Sequence, residues 1–287
     1  MRAIVIVERH LLSALATLLV ACTSSSPPRP ASQSAPAVAA RPAGRSAPET
    51  FAARGHVMKY TVSLPAGWTP DRAWPVVIVI PDAARDFAGN LAEFATAGAA
   101  TPYIFVAPHV VTSGGSRGYR DAPGFRYTAA EWREVDRLGD FRFDEEGVAA
   151  TIADVRERFH GDDRVYLTGW EAGGHTVWAL LLRHPEQFRA VAPVSTNFQG
   201  RWLDADQPVA RPAVMPEVRV LFCGGECFPA DVRGHLMTQT QEAIALARSR
   251  GFGEIAIDVR EGTRHGPLAA DVLAWFAAVS AAEAARR

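Results

Sequence analysis

The sequence predicts an α/β domain with a mainly parallel central sheet and helices on both faces. Three observations predict it. From residue 51 onward, short β-branched runs alternate with segments of helical period, the order that gives parallel strands joined by helical crossovers. Two of the runs, residues 75–80 (PVVIVI) and 103–106 (YIFV), are almost wholly apolar, as strands buried on both faces are. The chain has 287 residues, 48% hydrophobic and 21% charged, ordinary for a soluble globular protein and enough for one large α/β domain or two small ones.

The elements follow in order. Residues 60–64 (YTVSL) alternate with period two, which suits a strand with one buried face, and residues 65–67 (PAG) stop it. The runs at 75–80 and 103–106 are the next strands. A helix fits residues 143–159, where Val148, Ile152, Val155 and Phe159 recur at helical spacing between charged positions. Residues 164–168 form a strand. A glycine-rich turn leads from it into a helix carrying Val177, Leu180 and Leu181. Strands follow at 190–194 and 218–222, a helix at 236–247 and a strand at 255–259. The last helix presents Leu268, Val272, Trp275, Phe276 and Val279 on one face. Residues 109–139, with five glycines, fit no regular element. They read either as a lid or binding loop or as a surface excursion. No repeat and no second boundary is visible, so residues 51–287 read as one domain.

Residues 1–21 read as a secretory signal. Arg2 and Arg9 supply positive charge, and residues 11–20 form an apolar run too short to span a bilayer. Leu19, Val20 and Ala21 before Cys22 resemble a bacterial lipobox, in which small residues admit the peptidase and Cys22 receives the lipid. An ordinary cleaved signal with a chance cysteine is the other reading. Thr23, not Asp, follows, and by resemblance to Gram-negative lipoproteins this permits export to the outer membrane. Residues 22–50 hold six of the chain's 20 prolines among Ser and Ala, with too little apolar surface to offset ordering entropy. They read as a tether. The membrane is therefore an expected partner through the lipid on Cys22, in the cell envelope.

Lys plus Arg is 30 and Asp plus Glu is 31, a net charge of −1. That balance gives no electrostatic footprint for nucleic acid or an anionic surface. Three cysteines are too few for a disulfide scaffold or a four-thiolate zinc site. No metal and no cofactor is expected.

Residues 165–195, VYLTGWEAGGHTVWALLLRHPEQFRAVAPVS, resemble the nucleophile-elbow region of α/β-hydrolases. They are most similar to esterases of the polyhydroxybutyrate-depolymerase, feruloyl-esterase and dienelactone-hydrolase-like groups. A looser resemblance runs from about residue 60 to residue 276 through SLPAGW, PVVIVIPD, FVAPH and GTRHG. It implies the α/β-hydrolase fold. It also implies a strained strand-to-helix turn in which Gly169 and Gly173 must be small and Gly174 brings the helix close to the sheet. The family's pattern is G-x-S-x-G; here Glu171 stands where the serine is expected.

The resemblance implies roles for other residues. His265 falls where the family's catalytic histidine lies. Cys227 occupies the usual acid position, and Glu226, one residue off, or Asp231 could substitute. Pro81-Asp82 stands in place of the family's His-Gly, and Pro81 has no N–H to offer an oxyanion. Ala172, Asp82, Trp170 and His175 are the expected oxyanion and pocket residues. Glu171 has several readings: a carboxylate paired with His265 and the helix N-terminus, an attacking carboxylate as in haloalkane dehalogenases and epoxide hydrolases, a general base, or a metal ligand with His265 and His175. His175 is also read as a structural histidine. Cys223 and Cys227 are expected to form a disulfide in an oxidising compartment, the alternative being two buried thiols.

The expected function is therefore an exported esterase-type domain that is catalytically degenerate and binds a small-molecule or envelope ligand. The alternative is an active hydrolase of small esters or related electrophiles using Glu171 and His265.

Overall fold

The computed structural model describes residues 45–113, 120, 124–201, 203, 215–224 and 230–286, the last range without the side chains of Ala230 and Asp231. Eight strands form one sheet: β1 (Glu49–Ala52), β2 (Lys59–Ser63), β3 (Val76–Ile80), β4 (Ile104–Pro108), β5 (Val165–Trp170), β6 (Phe188–Val194), β7 (Glu217–Cys223) and β8 (Ala256–Arg260). Their order is β1-β2-β4-β3-β5-β6-β7-β8. β2 is antiparallel to both neighbours. The other pairings are all parallel. β3, β4 and β5 are buried at every position, as their apolar runs require.

The helices are α1 (Phe87–Ala97), α2 (Ala129–Leu138), α3 (Asp140–Phe159), α4 (Gly174–Arg183), α5 (Ala230–Ser249) and α6 (Ala269–Arg286). Strand side chains alternate between faces, and the two faces have different covers. Val77, Val79, Tyr166 and Trp170 belong to a core built with Phe87, Leu91 and Phe94 of α1 and Val272, Phe276 and Val279 of α6. The opposite face meets α3 and α4. A side chain at Gly169 would run into Val177 of α4, and one at Gly161 into Val76 of β3 and Val155 of α3.

Four sequence expectations change. The sheet begins at Glu49, inside the stretch assigned to the tether, and Arg45 already donates to the carbonyls of Tyr103 (3.0 Å) and Gly98 (2.9 Å). α1 was not anticipated, although its buried Phe87, Leu91 and Phe94 are spaced four and three residues apart. Residues 109–139 contain α2, started by a reciprocal capping box in which Glu131 N–H donates to Thr128 and the Glu131 carboxylate accepts from Thr128 N–H. Leu268 lies one residue before α6, with φ 48°, and is not part of the helix.

Candidate active site

The site forms at the carboxyl ends of β3 and β5. β5 ends at Trp170, a 3-10 turn covers Glu171–Gly173, and α4 starts at Gly174. Glu171 has φ 49°, a left-handed conformation that costs a non-glycine residue energy and must be held by its surroundings. Here the hold is close packing and hydrogen bonding. A Cβ at Gly173 would stand 2.4 Å from the Pro81 carbonyl oxygen, and one at Gly174 would stand 2.1 Å from Thr196 Cβ. Gly174 thus admits the segment after β6, beyond the sheet itself. Asn197 N–H donates to the Glu171 carbonyl at 2.9 Å and ties the turn to the same segment.

The β3 loop is fixed just as firmly. Ser113 Oγ donates to the carbonyls of Pro81 (2.8 Å) and Asp82 (2.7 Å). A trans peptide carries its N–H opposite its C=O. With the Asp82 carbonyl turned to Ser113, the Ala83 N–H is turned to the other side, and it and the Ala172 N–H act on the Glu171 carboxylate to hold its pKa down. The absence of an N–H on Pro81 therefore does not leave the loop without a donor: Ala83, two residues further on, supplies it. Behind Ser113, Asp144 of α3 accepts from Val111 N–H (2.8 Å), Thr112 N–H (2.8 Å) and Thr112 Oγ1 (2.6 Å). Thr112 Oγ1 also meets Thr176 Oγ1 of α4 at 2.6 Å. One buried network thus joins α3, the segment after β4 and the elbow helix.

Parallel register pairs Ile80 with Gly169, so Asp82 and Glu171 each lie two residues beyond a paired position on adjacent strands. Burial raises the pKa of both above the usual carboxylate range, and for Glu171 the Asp82 charge raises it further. The Ala83 and Ala172 amides oppose the shift of Glu171 without cancelling it. One oxygen of Asp82, Oδ1, is buried with no hydrogen-bond partner. His265 packs on Trp170, ring centroids 4.6 Å apart. Burial lowers its pKa, and the carboxylate opposing that shift is Asp82. Trp170 Nε1 donates to Asn90 Oδ1 at 2.7 Å, which fixes the indole that His265 rests on.

The structure thus sets Asp82 between the two expected partners: it acts on Glu171, beside Ala172, and on His265, which packs on Trp170. His175 is 6% exposed, and burial with the charge of Arg201 lowers its pKa to about 4, so it is a neutral interior histidine near pH 7. Among the described residues no three His, Cys, Asp or Glu side chains are grouped to hold a metal ion, so the set Glu171, His175 and His265 does not form a ligand shell. Cys223 is buried at the end of β7, its N–H donating to Ser195 Oγ at 2.9 Å. Cys22, Glu226, Cys227 and the Asp231 side chain lie outside the described residues. Sequence reasoning missed Ala83, Ser113, Asn90 and Asp144. The first two act through the direction of one peptide group, which no residue pattern reveals.

The family described as "Putative esterase" matches residues 52–261. A poly(3-hydroxybutyrate) depolymerase from Bordetella parapertussis superposes with a TM-score of 0.55 at 19% identity, over 82% of this chain and 91% of that one. A siderophore hydrolase from Aspergillus nidulans gives 0.52 at 20%, over 84% and 95%. An S-formylglutathione hydrolase from Agrobacterium tumefaciens gives 0.50 at 17%, over 82% and 95%. These identities establish shared architecture. No curated protein matches the chain significantly. With the family match spanning most of the chain and the strand order, crossovers and elbow all in place, the chain belongs to this esterase family and has the α/β-hydrolase fold.

Proposed function

We propose that this protein is an exported lipoprotein, anchored through Cys22 in the cell envelope, whose esterase-family domain binds a ligand and does not hydrolyse esters. The observation that carries the reading is the position of the Glu171 carboxylate against the Ala83 and Ala172 amides. In the elbow arrangement the amide after the nucleophile and one from the β3 loop are the donors that stabilise a developing oxyanion. Here both act on a resident carboxylate. An ester carbonyl would have to displace a group that already satisfies them, and would find no hydroxyl at Glu171 to attack it.

Glu171 is also poorly suited to attack by itself. Burial and the Asp82 charge raise its pKa, and the Ala83 and Ala172 amides oppose that shift; amides that stabilise its charge lower its nucleophilicity. His265 beside Trp170 and the Ala83 and Ala172 amides at the elbow are the parts of the framework that support a gain of function. Short-chain chromogenic esters are therefore expected to go unhydrolysed by the wild type, while Glu171→Ser gains turnover. Equal silence of both would show that more than the nucleophile is missing. For the anchor, Cys22→Ser is expected to abolish palmitate incorporation and to release the protein from membranes. Continued labelling of that variant would contradict it.

A further inference from the structure

We propose that a cavity beside the β3 loop, apart from the elbow, binds a small organic carboxylate with a flat apolar body. The cavity has a volume of about 490 Å³, within the range of small-molecule sites. It lies between Thr50 of β1, Thr61 of β2, His109 just past the end of β4 and the start of α1. Asp82, Glu171, Trp170 and His265 are not among its described lining residues, so the proposal goes beyond the reading of the elbow and does not depend on it. Two of its polar walls are deeply buried: Arg85 is 6% exposed and His109 is 3% exposed. Arg85 is fixed in place, its Nη1 donating to the Ala83 carbonyl at 3.1 Å.

The walls carry the chemistry of an anion site. Among the described residues, the lining holds Arg85 and Arg126 against a single carboxylate, Asp86. That carboxylate is committed to capping α1, where it accepts from Gly89 N–H at 2.8 Å. His109 adds an unsatisfied atom. Its Nε2 lies 2.9 Å from Thr61 Oγ1, which in turn lies 3.2 Å from Thr50 Oγ1. Its Nδ1 is buried with no hydrogen-bond partner among the described residues. Burial, with the charges of Lys59 and Arg126, lowers the pKa of this ring to about 4, so it is neutral near pH 7 and carries one N–H. With Thr61 donating to Nε2, that N–H sits on Nδ1, a buried donor that costs free energy until an acceptor reaches it. A carboxylate supplies the acceptor and matches the fork of a guanidinium. An apolar body has its own wall: the Phe87 ring stacks on His109, centroids 4.2 Å apart and 15° from parallel, and Ala84 and Ala88 line the same space. A neutral amide would keep that contact and lose the charge-assisted bonds, which are roughly twice as strong as neutral ones. An ammonium ion would meet two guanidinium groups and be repelled.

The test is titration calorimetry of the protein with benzoate, benzamide, benzylammonium and inorganic phosphate. Benzoate is expected to bind about tenfold or more tightly than benzamide, the effect of one net charge-assisted bond, and benzylammonium is expected not to bind. Arg126→Gln, at an exposed position, should weaken benzoate by about tenfold and leave benzamide and thermal unfolding unchanged. Nitrogen-15 NMR of the wild type should show the His109 ring nitrogens shifting as benzoate is added. Benzamide or phosphate binding as tightly as benzoate, or no binding of benzoate, overturns the proposal from wild-type data alone. So does benzoate binding that is unaltered in Arg126→Gln and leaves the His109 ring unshifted.

Discussion

Replacing Asp144 with alanine is expected to destabilise the domain by about 3 to 5 kcal/mol, a large share of the stability of a single domain. The carboxylate is fully buried and accepts from three donors, two of them the buried amides of Val111 and Thr112. Alanine leaves those amides without partners and opens a cavity. Thr112 Oγ1 keeps Thr176 as a neighbour, so its loss is partial. The damage should spread to the site, because the same segment carries Ser113, which orients the Asp82–Ala83 peptide.

The charge of Asp144 adds a pH signature. Burial raises its pKa to about 7 against the pull of its hydrogen bonds, above the value of about 3.9 for an unfolded aspartate. A carboxyl raised in the folded state favours folding fully below the unfolded value, and that contribution is lost as pH rises through the folded one. Wild-type stability, measured by urea unfolding, should therefore decline from about pH 4 toward pH 7, where the native state holds a proton that the unfolded state has released. Asp144→Asn should flatten the decline. An unchanged slope in that variant would show that Asp144 is ionised in the native state throughout.

Gly173→Ala is the second large effect. Its Cβ would come 2.4 Å from the Pro81 carbonyl and 3.0 Å from the Ile80 carbonyl. Both obstacles are backbone, so neither can swing aside as a side chain would. Overpacking of this kind costs about 1 to 3 kcal/mol. The displaced β3 loop should draw Ala83 away from Glu171 as well. Gly234→Ala supplies the contrast: this position in α5 is exposed and has open space around it. There alanine should stabilise the protein by up to about 1 kcal/mol through helix propensity. A thermal shift of the same sign in both variants would contradict the assignment of Gly173 to the tight elbow.

The legible part of this fold was what periodicity and burial encode. β3, β4, β5 and β6 announced themselves as apolar runs because both sides of a central parallel strand are covered. α4 was visible in Val177, Leu180 and Leu181, all fully buried. α1 escaped because glycine, asparagine and alanine between Phe87, Leu91 and Phe94 dilute its apolar stripe. α2 escaped because its mean polarity is high and Val135 alone among its residues is fully buried. Its capping box, Thr128-Ala-Ala-Glu131, was nevertheless readable. In the site, Glu171 and Trp170 were found from the elbow pattern and His265 from GTRHG after the last strand. Asp82 was noticed only as a departure from pattern. Its position opposite Glu171 depends on the β3–β5 register, and the Ala83 donor on a peptide orientation set by Ser113, a residue from another strand's end.

Glu171 is proposed to close the elbow to ester chemistry. The direct test is the hydrolysis of a short-chain chromogenic ester panel by the wild type and by Glu171→Ala, side by side. No turnover above the uncatalysed rate is expected in either. Turnover by the wild type that disappears in Glu171→Ala would contradict it and make this carboxylate the catalyst.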